Sequence, residues 1–115
     1  MVKKLVTVVE TAPYLAKCKL SAEQRNEIVD LLAETPDLGD PLVGTGGYRK
    51  FRYASKQGKG KSGGARIVHL YHNESMPVFI MAIFEKGEKS NLTKAERNKL
   101  KSIAKDIISN YGASS

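Results

Sequence analysis

The run Val78–Phe84 (VFIMAIF) is seven consecutive apolar residues. It is far too short to cross a bilayer, which takes about 20 apolar residues as a helix. A short, nearly all-apolar run bounded by turn residues reads as a strand at the centre of a sheet. Two other strand patterns precede it. Tyr48–Ser55 (YRKFRYAS) alternates, sending Lys50 and Arg52 to one side and Phe51 and Tyr53 to the other. Ala65–His72 (ARIVHLYH) places Arg66, Val68, Leu70 and His72 on one face. The glycine- and lysine-rich segment 56–64 joins the first two as a hairpin tip, and Asn73–Pro77 turns the chain into the third. Three sequential strands with short connections predict an antiparallel meander.

The flanking segments supply helices and one more strand. Lys3–Val9 is short and β-branched, and reads as a strand. Thr11 and Pro13 suggest a helix start, with Tyr14–Ala16 a short helical piece. Ser21-Ala22-Glu23-Gln24 is a capping-box pattern, followed by Ile28, Val29, Leu31 and Leu32 as an apolar side. Pro36 and Gly39 end that helix, and residues 35–47, with four glycines and two prolines, form a connecting loop. Thr93 and Glu96 make a second capping box. Leu100, Ile103, Ala104, Ile107 and Ile108 then give the strongest helical periodicity in the chain. The expected order is β-α-α-β-β-β-α, a single small α+β domain over residues 1–115, with 113–115 frayed. We expect about four strands in an antiparallel sheet, the helices packed on one face and the basic residues on the other.

Charge narrows the function. The chain carries a formal net charge of +7, and residues 44–73 alone carry +7, because Arg49, Lys50, Arg52, Lys56, Lys59, Lys61 and Arg66 meet no acid there. The segments before and after net −2 and +2. Tyr48, Phe51, Tyr53 and Tyr71 are interleaved, and cations mixed with aromatic rings suit a polyanion whose bases can stack. An acidic protein or a membrane surface is the other class of partner for such a surface. Lys50 and Arg52 share a strand face, and Arg66 opens the next strand, so the three can form a phosphate clamp. The tip KQGKGKSGG lacks the spacing of a Walker-type phosphate loop, but its lysines can touch a nucleic-acid backbone. Lys86 and Lys89 follow the third strand in a charged exit turn.

Other chemistries find little support. Cys18 is the single cysteine, so an internal disulfide and a Cys-based zinc site are excluded. His69 and His72 are three apart on a strand pattern, on opposite faces, which does not make a two-histidine metal site. No metal or cofactor is expected. The apolar run near the N-terminus ends at Glu10, too early for a signal peptide, so a soluble cytoplasmic protein is expected. With no evident acid–base pair, a nuclease built from these residues would rely on Lys, Arg and Tyr. RNA permits a metal-free route in which the 2′-OH attacks the adjacent phosphate, and cations stabilise the pentavalent dianion.

The segments GTGGYRKFRYAS, GGARIVHLY and VFIMAIFEKGEKSNLTKAERNKL, with LSAEQRNEIVDLLAETPDLGDPLVGTGG upstream, resemble the HigB-like branch of the RelE toxin superfamily over about residues 1–108. The resemblance implies a compact RelE-like α+β fold and a ribosome-dependent endonuclease that cuts mRNA in the A site and halts translation. It implies a cognate antitoxin, a helix-turn-helix protein of HigA type, and operator DNA contacted only through the toxin–antitoxin complex. Matched by motif, the family's catalytic basic residues fall on Lys50, Arg52 and Arg66, and a further one matches Lys86 best, with Lys89 the other option. Arg49, Lys56, Lys59, Lys61 and Lys89 would contact RNA or the ribosome. Gly87 stands where some relatives carry Arg, and Thr93 about where others carry Tyr; His69 and His72 match no catalytic histidine of the branch. The competing readings are a non-enzymatic basic RNA- or DNA-binding module and an antitoxin-bound transcriptional co-repressor.

Overall fold

The computed structural model describes residues 5–54, 64–85 and 92–112. Its elements are β1 (Val8–Glu10), α1 (Ala12–Lys17), α2 (Ala22–Glu34), β2 (Asp40–Pro41), β3 (Tyr48–Tyr53), β4 (Ala65–Leu70), β5 (Val78–Glu85) and α3 (Lys94–Gly112). The strands form one sheet in the order β1-β5-β4-β3-β2. The β3-β4-β5 meander is antiparallel, as its short connections predict, and the apolar run of β5 lies between β1 and β4.

Four features depart from the expected arrangement. The sheet has five strands, because Asp40–Pro41 adds a short antiparallel edge to β3. It is mixed, because β1 runs parallel to β5, with Val8 opposite Val78. The first strand is also shorter than the β-branched run and displaced toward its end. Finally, the helices cover both faces of the sheet. Tyr14 of α1 and Ile28 and Leu32 of α2 pack with Phe51, Tyr53, Ile67, Val78 and Ile80. Leu100, Ile103, Ala104, Ile107 and Ile108 of α3 pack with Tyr48, Val68, Leu70 and Phe79 on the other face. The cause lies in β5: a strand apolar on both sides needs cover on both sides.

β5 also carries a bulge. Val68 pairs with Ala82 and His69 with Ile80, so Met81 is an extra residue. The bulge lets Ile80 and Ile83 both reach the α1–α2 side, while Met81 and Ala82 join the α3 side.

Local chemistry sets the helix ends. Ser21 Oγ accepts from Gln24 N–H while Gln24 Oε1 accepts from Ser21 N–H. The same reciprocal pair forms between Thr93 and Glu96 at the start of α3. Each satisfies donors that a helix N-terminus leaves open. At α1, Thr11 uses its hydroxyl differently, donating to the Ile80 carbonyl at 2.6 Å, which ties the end of β1 to β5. Glu10 accepts from Arg25 at 3.1 Å and joins β1 to α2. Among the described residues, no helix is long and apolar enough to cross a membrane. The expected fraying of 113–115 lies outside the described residues.

Candidate nucleic-acid site

Lys50, Arg52 and Arg66 share one sheet face. The β3–β4 register places Arg52 directly opposite Arg66, and Lys50 opposite Val68. Directly opposed side chains start about 5 Å apart at Cβ and diagonal ones about 7–8 Å apart, so both Arg52 and Lys50 can reach a group held by Arg66. Arg52 is exposed, while Lys50 and Arg66 are half-buried.

This face is the one covered further along by α3, so the basic residues do not lie on a bare sheet. They sit where α3 begins. Lys50, Arg66 and Arg97 line a cleft of about 20 Å³ with Leu42, Val68, Phe84 and Leu92. The apolar side chains lower the local polarity around three cations, which strengthens their attraction for an anion. Among the described residues, no carboxylate lines the cleft. Asp40, opposite Lys50 on edge strand β2, brings an acid to the rim that the acid-free run of residues 44–73 did not foretell.

Arg97 is the residue that sequence reasoning missed. It sits four positions after the Thr93 cap, one turn into α3. The available signal was its helical phase: three residues before Leu100 and seven before Ala104, it continues the stripe that faces β3 and β4.

The opposite face holds a different set. Arg49 falls there, next to Phe51, and its Nη2 donates to the Gly39 carbonyl at 2.8 Å. Strand alternation therefore turns Arg49 away from Lys50, Arg52 and Arg66. His69 is fully buried on the same face, edge-on to Phe51 with ring centroids 5.6 Å apart. Its Nε2–H donates to the Pro36 carbonyl at 2.9 Å, so in the neutral ring the hydrogen sits on Nε2. Burial pushes its pKa down to about 4, outweighing the opposing pull of the Pro36 carbonyl, and Arg49 adds a smaller lowering. His69 is a neutral core residue remote from the cationic cleft. His72 lies past the end of β4 and is exposed.

The tyrosines are also turned away from the cleft or sealed. Tyr53 donates to Glu27 of α2 on the far face. Tyr48 is on the near face but 1% exposed, its hydroxyl has no hydrogen-bond partner among the described residues, and burial pushes its pKa up to about 12. Lys56, Lys59, Lys61, Lys86 and Lys89 lie outside the described residues. Among the described residues, no three His, Cys, Asp or Glu side chains converge as a metal-ligating set.

The family model of the RelE toxin of the RelE/RelB toxin–antitoxin system matches residues 34–113, from the end of α2 through α3. Those residues contain the whole cationic cleft. Among solved structures, an arginine-to-alanine double mutant of the E. coli toxin RelE in the free state superposes with a TM-score of 0.52 at 19% identity. The alignment covers 90% of this chain and 98% of that one, and at this identity it is a likeness of fold.

Proposed function

Because the chain belongs to the RelE toxin family, we propose that it is a toxin of the HigB-like branch that cleaves mRNA in the ribosomal A site without a metal ion. The observation that carries this reading is the apolar-floored cleft lined by Lys50, Arg66 and Arg97, with Arg52 paired across the strands to Arg66. In the proposed step the 2′-oxygen attacks the adjacent phosphorus as its proton passes to a base. The P–O5′ bond breaks, the 5′-oxygen takes up a proton, and a 2′,3′-cyclic phosphate and a 5′-OH result. Arg66 stabilises the charge that builds on the phosphoryl oxygens, and Arg52 and Lys50 hold the phosphate in line. A lysine serves as base, and Lys86 assists the leaving oxygen. Tyr48, with its buried hydroxyl, is not that base.

Lys56, Lys59, Lys61 and Lys89 are assigned to ribosomal RNA, whereas Arg49 is assigned to bracing the loop at Gly39. The partners of this reading are a cytoplasmic ribosome and a helix-turn-helix antitoxin of HigA type, through which the complex would reach operator DNA. The test is to map mRNA 5′ ends after inducing the isolated gene, with translation running or arrested, and to repeat the cleavage on purified ribosomes in excess chelator. Cleavage confined to translated mRNA, insensitive to chelator and abolished in Arg66→Ala, is the expected result. Tight RNA binding with no cleavage under any of these conditions would instead indicate a binding module.

A further inference from the structure

The cationic surface does not stop at the cleft. At about 100° per residue, Lys94, Arg97, Lys101 and Lys105 fall within an arc of roughly 80° on α3. Of the two acids of the helix, Asp106 lies on the other flank of its apolar stripe, with Lys99, and Glu96 lies within the stripe on that side. The segregation matches the packing on each side. Arg97 faces Lys50 and Arg66 in the cleft, and Lys101 and Lys105 lie beside Gly46 of the glycine-rich loop. A Cβ placed on Gly46 would stand 3.8 Å from Lys101 Cγ. Glu96 and Lys99 face Pro13 and Lys17 of α1 instead. All four stripe residues are exposed, and none forms an ion pair among the described residues.

We infer that this stripe is a track for the phosphate backbone of an RNA strand running from the Lys50–Arg66 cleft along α3 beside the glycine loop. The inference rests on the RNA-directed reading above and extends it past Arg97 to Lys101 and Lys105, which the chemistry itself does not need. From Lys94 to Lys105 the stripe is about 17 Å long at roughly 1.5 Å per residue. That length spans several phosphates of a single strand. Four cations aligned without intervening acids suit a regularly charged strand better than a compact anion. The small Gly46 leaves the flank beside Lys101 open.

The test measures binding of the full chain to two RNAs with 2′-O-methyl sugars, which cannot be cut, over a range of salt. One is a dinucleotide, covering only the cleft; the other is a single strand long enough to follow α3. Lys and Gln have similar helix propensity, so Lys101→Gln/Lys105→Gln should fold as the parent does, as checked by circular dichroism. For the long strand, the slope of log K against log salt should fall by about 1.4, about 0.7 for each phosphate that the variant no longer neutralises. Dinucleotide binding should not change. Lys99→Gln, on the acidic flank, should leave both slopes as they are. An unchanged long-strand slope in the double variant, or an equal loss of slope in Lys99→Gln, overturns the inference. So does an unchanged RNA slope accompanied by lost binding to poly-L-glutamate, which would give the stripe to an acidic protein. Ribosome-dependent cleavage by the parent protein is scored separately: a lost slope without any cleavage would remove the nuclease reading and keep the track, and cleavage with an unchanged slope would do the reverse.

Discussion

Arg49 stands directly opposite His69 on the β3–β4 ladder, and the two side chains hold the same loop. Arg49 Nη2 donates to the Gly39 carbonyl at 2.8 Å, and His69 Nε2 donates to the Pro36 carbonyl at 2.9 Å. That loop leads into β2, whose Asp40 pairs with Lys50. The latch therefore fixes, from the far face of the sheet, the edge that borders the cationic cleft. It also couples the cleft's geometry to a group that must stay neutral.

The first prediction follows from His69. Its pKa is about 4 in the fold, against an ordinary 6.5. Between those values the unfolded chain binds the extra proton, so stability falls as pH drops from about 6.5 toward about 4. The loss approaches about 3 kcal/mol, at about 1.4 kcal/mol for each unit of difference. His69→Gln keeps an amide N–H for the Pro36 carbonyl and removes the titration. Urea unfolding across this pH range should show a markedly flatter profile for the variant. An identical acid slope in both proteins would place the sensitivity in other groups.

A second prediction separates burial from chemistry at Tyr48. Its hydroxyl is enclosed without a partner among the described residues. A buried polar group that makes no hydrogen bond costs about 1–3 kcal/mol, so removing it is neutral or stabilising. Tyr48→Phe should match or exceed the parent in thermal stability and cleave mRNA at the parent rate. A tenfold loss of cleavage in a stable variant would return Tyr48 to the catalytic group.

The third concerns Gly39, whose φ is +94°. A Cβ there would overlap the backbone carbonyl of Lys50 and crowd Phe51 Cβ. Gly39→Ala combines left-handed strain with a clash against rigid backbone, and should destabilise by at least about 2 kcal/mol. Gly44, at φ +78°, meets nothing within 4 Å, so Gly44→Ala should cost only about 1 kcal/mol, from the backbone conformation alone. The two denaturation midpoints, compared side by side, isolate the steric part. Similar midpoints would mean that β3 yields at Lys50.

The meander and both capping boxes were legible because each depends on residues close together in the chain. The alternation of Tyr48–Tyr53 put Lys50 and Arg52 on one face, and the fold keeps them there. What depended on distant pairing was not legible. Val8–Glu10 could lie on either edge and in either direction, and its parallel pairing with β5 is fixed by tertiary contacts such as Thr11 with Ile80. The cover on both faces was in principle readable from VFIMAIF, which has no polar side to leave in water. Asp40–Pro41 has no strand signature, since a two-residue edge needs little more than a neighbour. Arg97 escaped because it is far from the basic run in sequence and meets it only when α3 crosses the sheet.

Arg97 is therefore the sharpest test of the cleft as assembled by the fold. It shares the cleft with Lys50 and Arg66 but enters from a helix, over Leu92 and Phe84. If the cleft holds the scissile phosphate, Arg97→Ala removes one charge-assisted hydrogen bond, worth about 1.5–3 kcal/mol. Cleavage on programmed ribosomes should then slow by roughly 10- to 100-fold. Arg66→Ala should cost more, about 100- to 1,000-fold, as expected for a donor aimed at the developing charge. Because Arg97 is exposed, thermal unfolding should move little. Arg97→Lys keeps the charge but loses the forked donor geometry, so it should recover part of the rate. Parent-like cleavage by Arg97→Ala would confine the chemistry to the β3–β4 hairpin and leave α3 to binding alone.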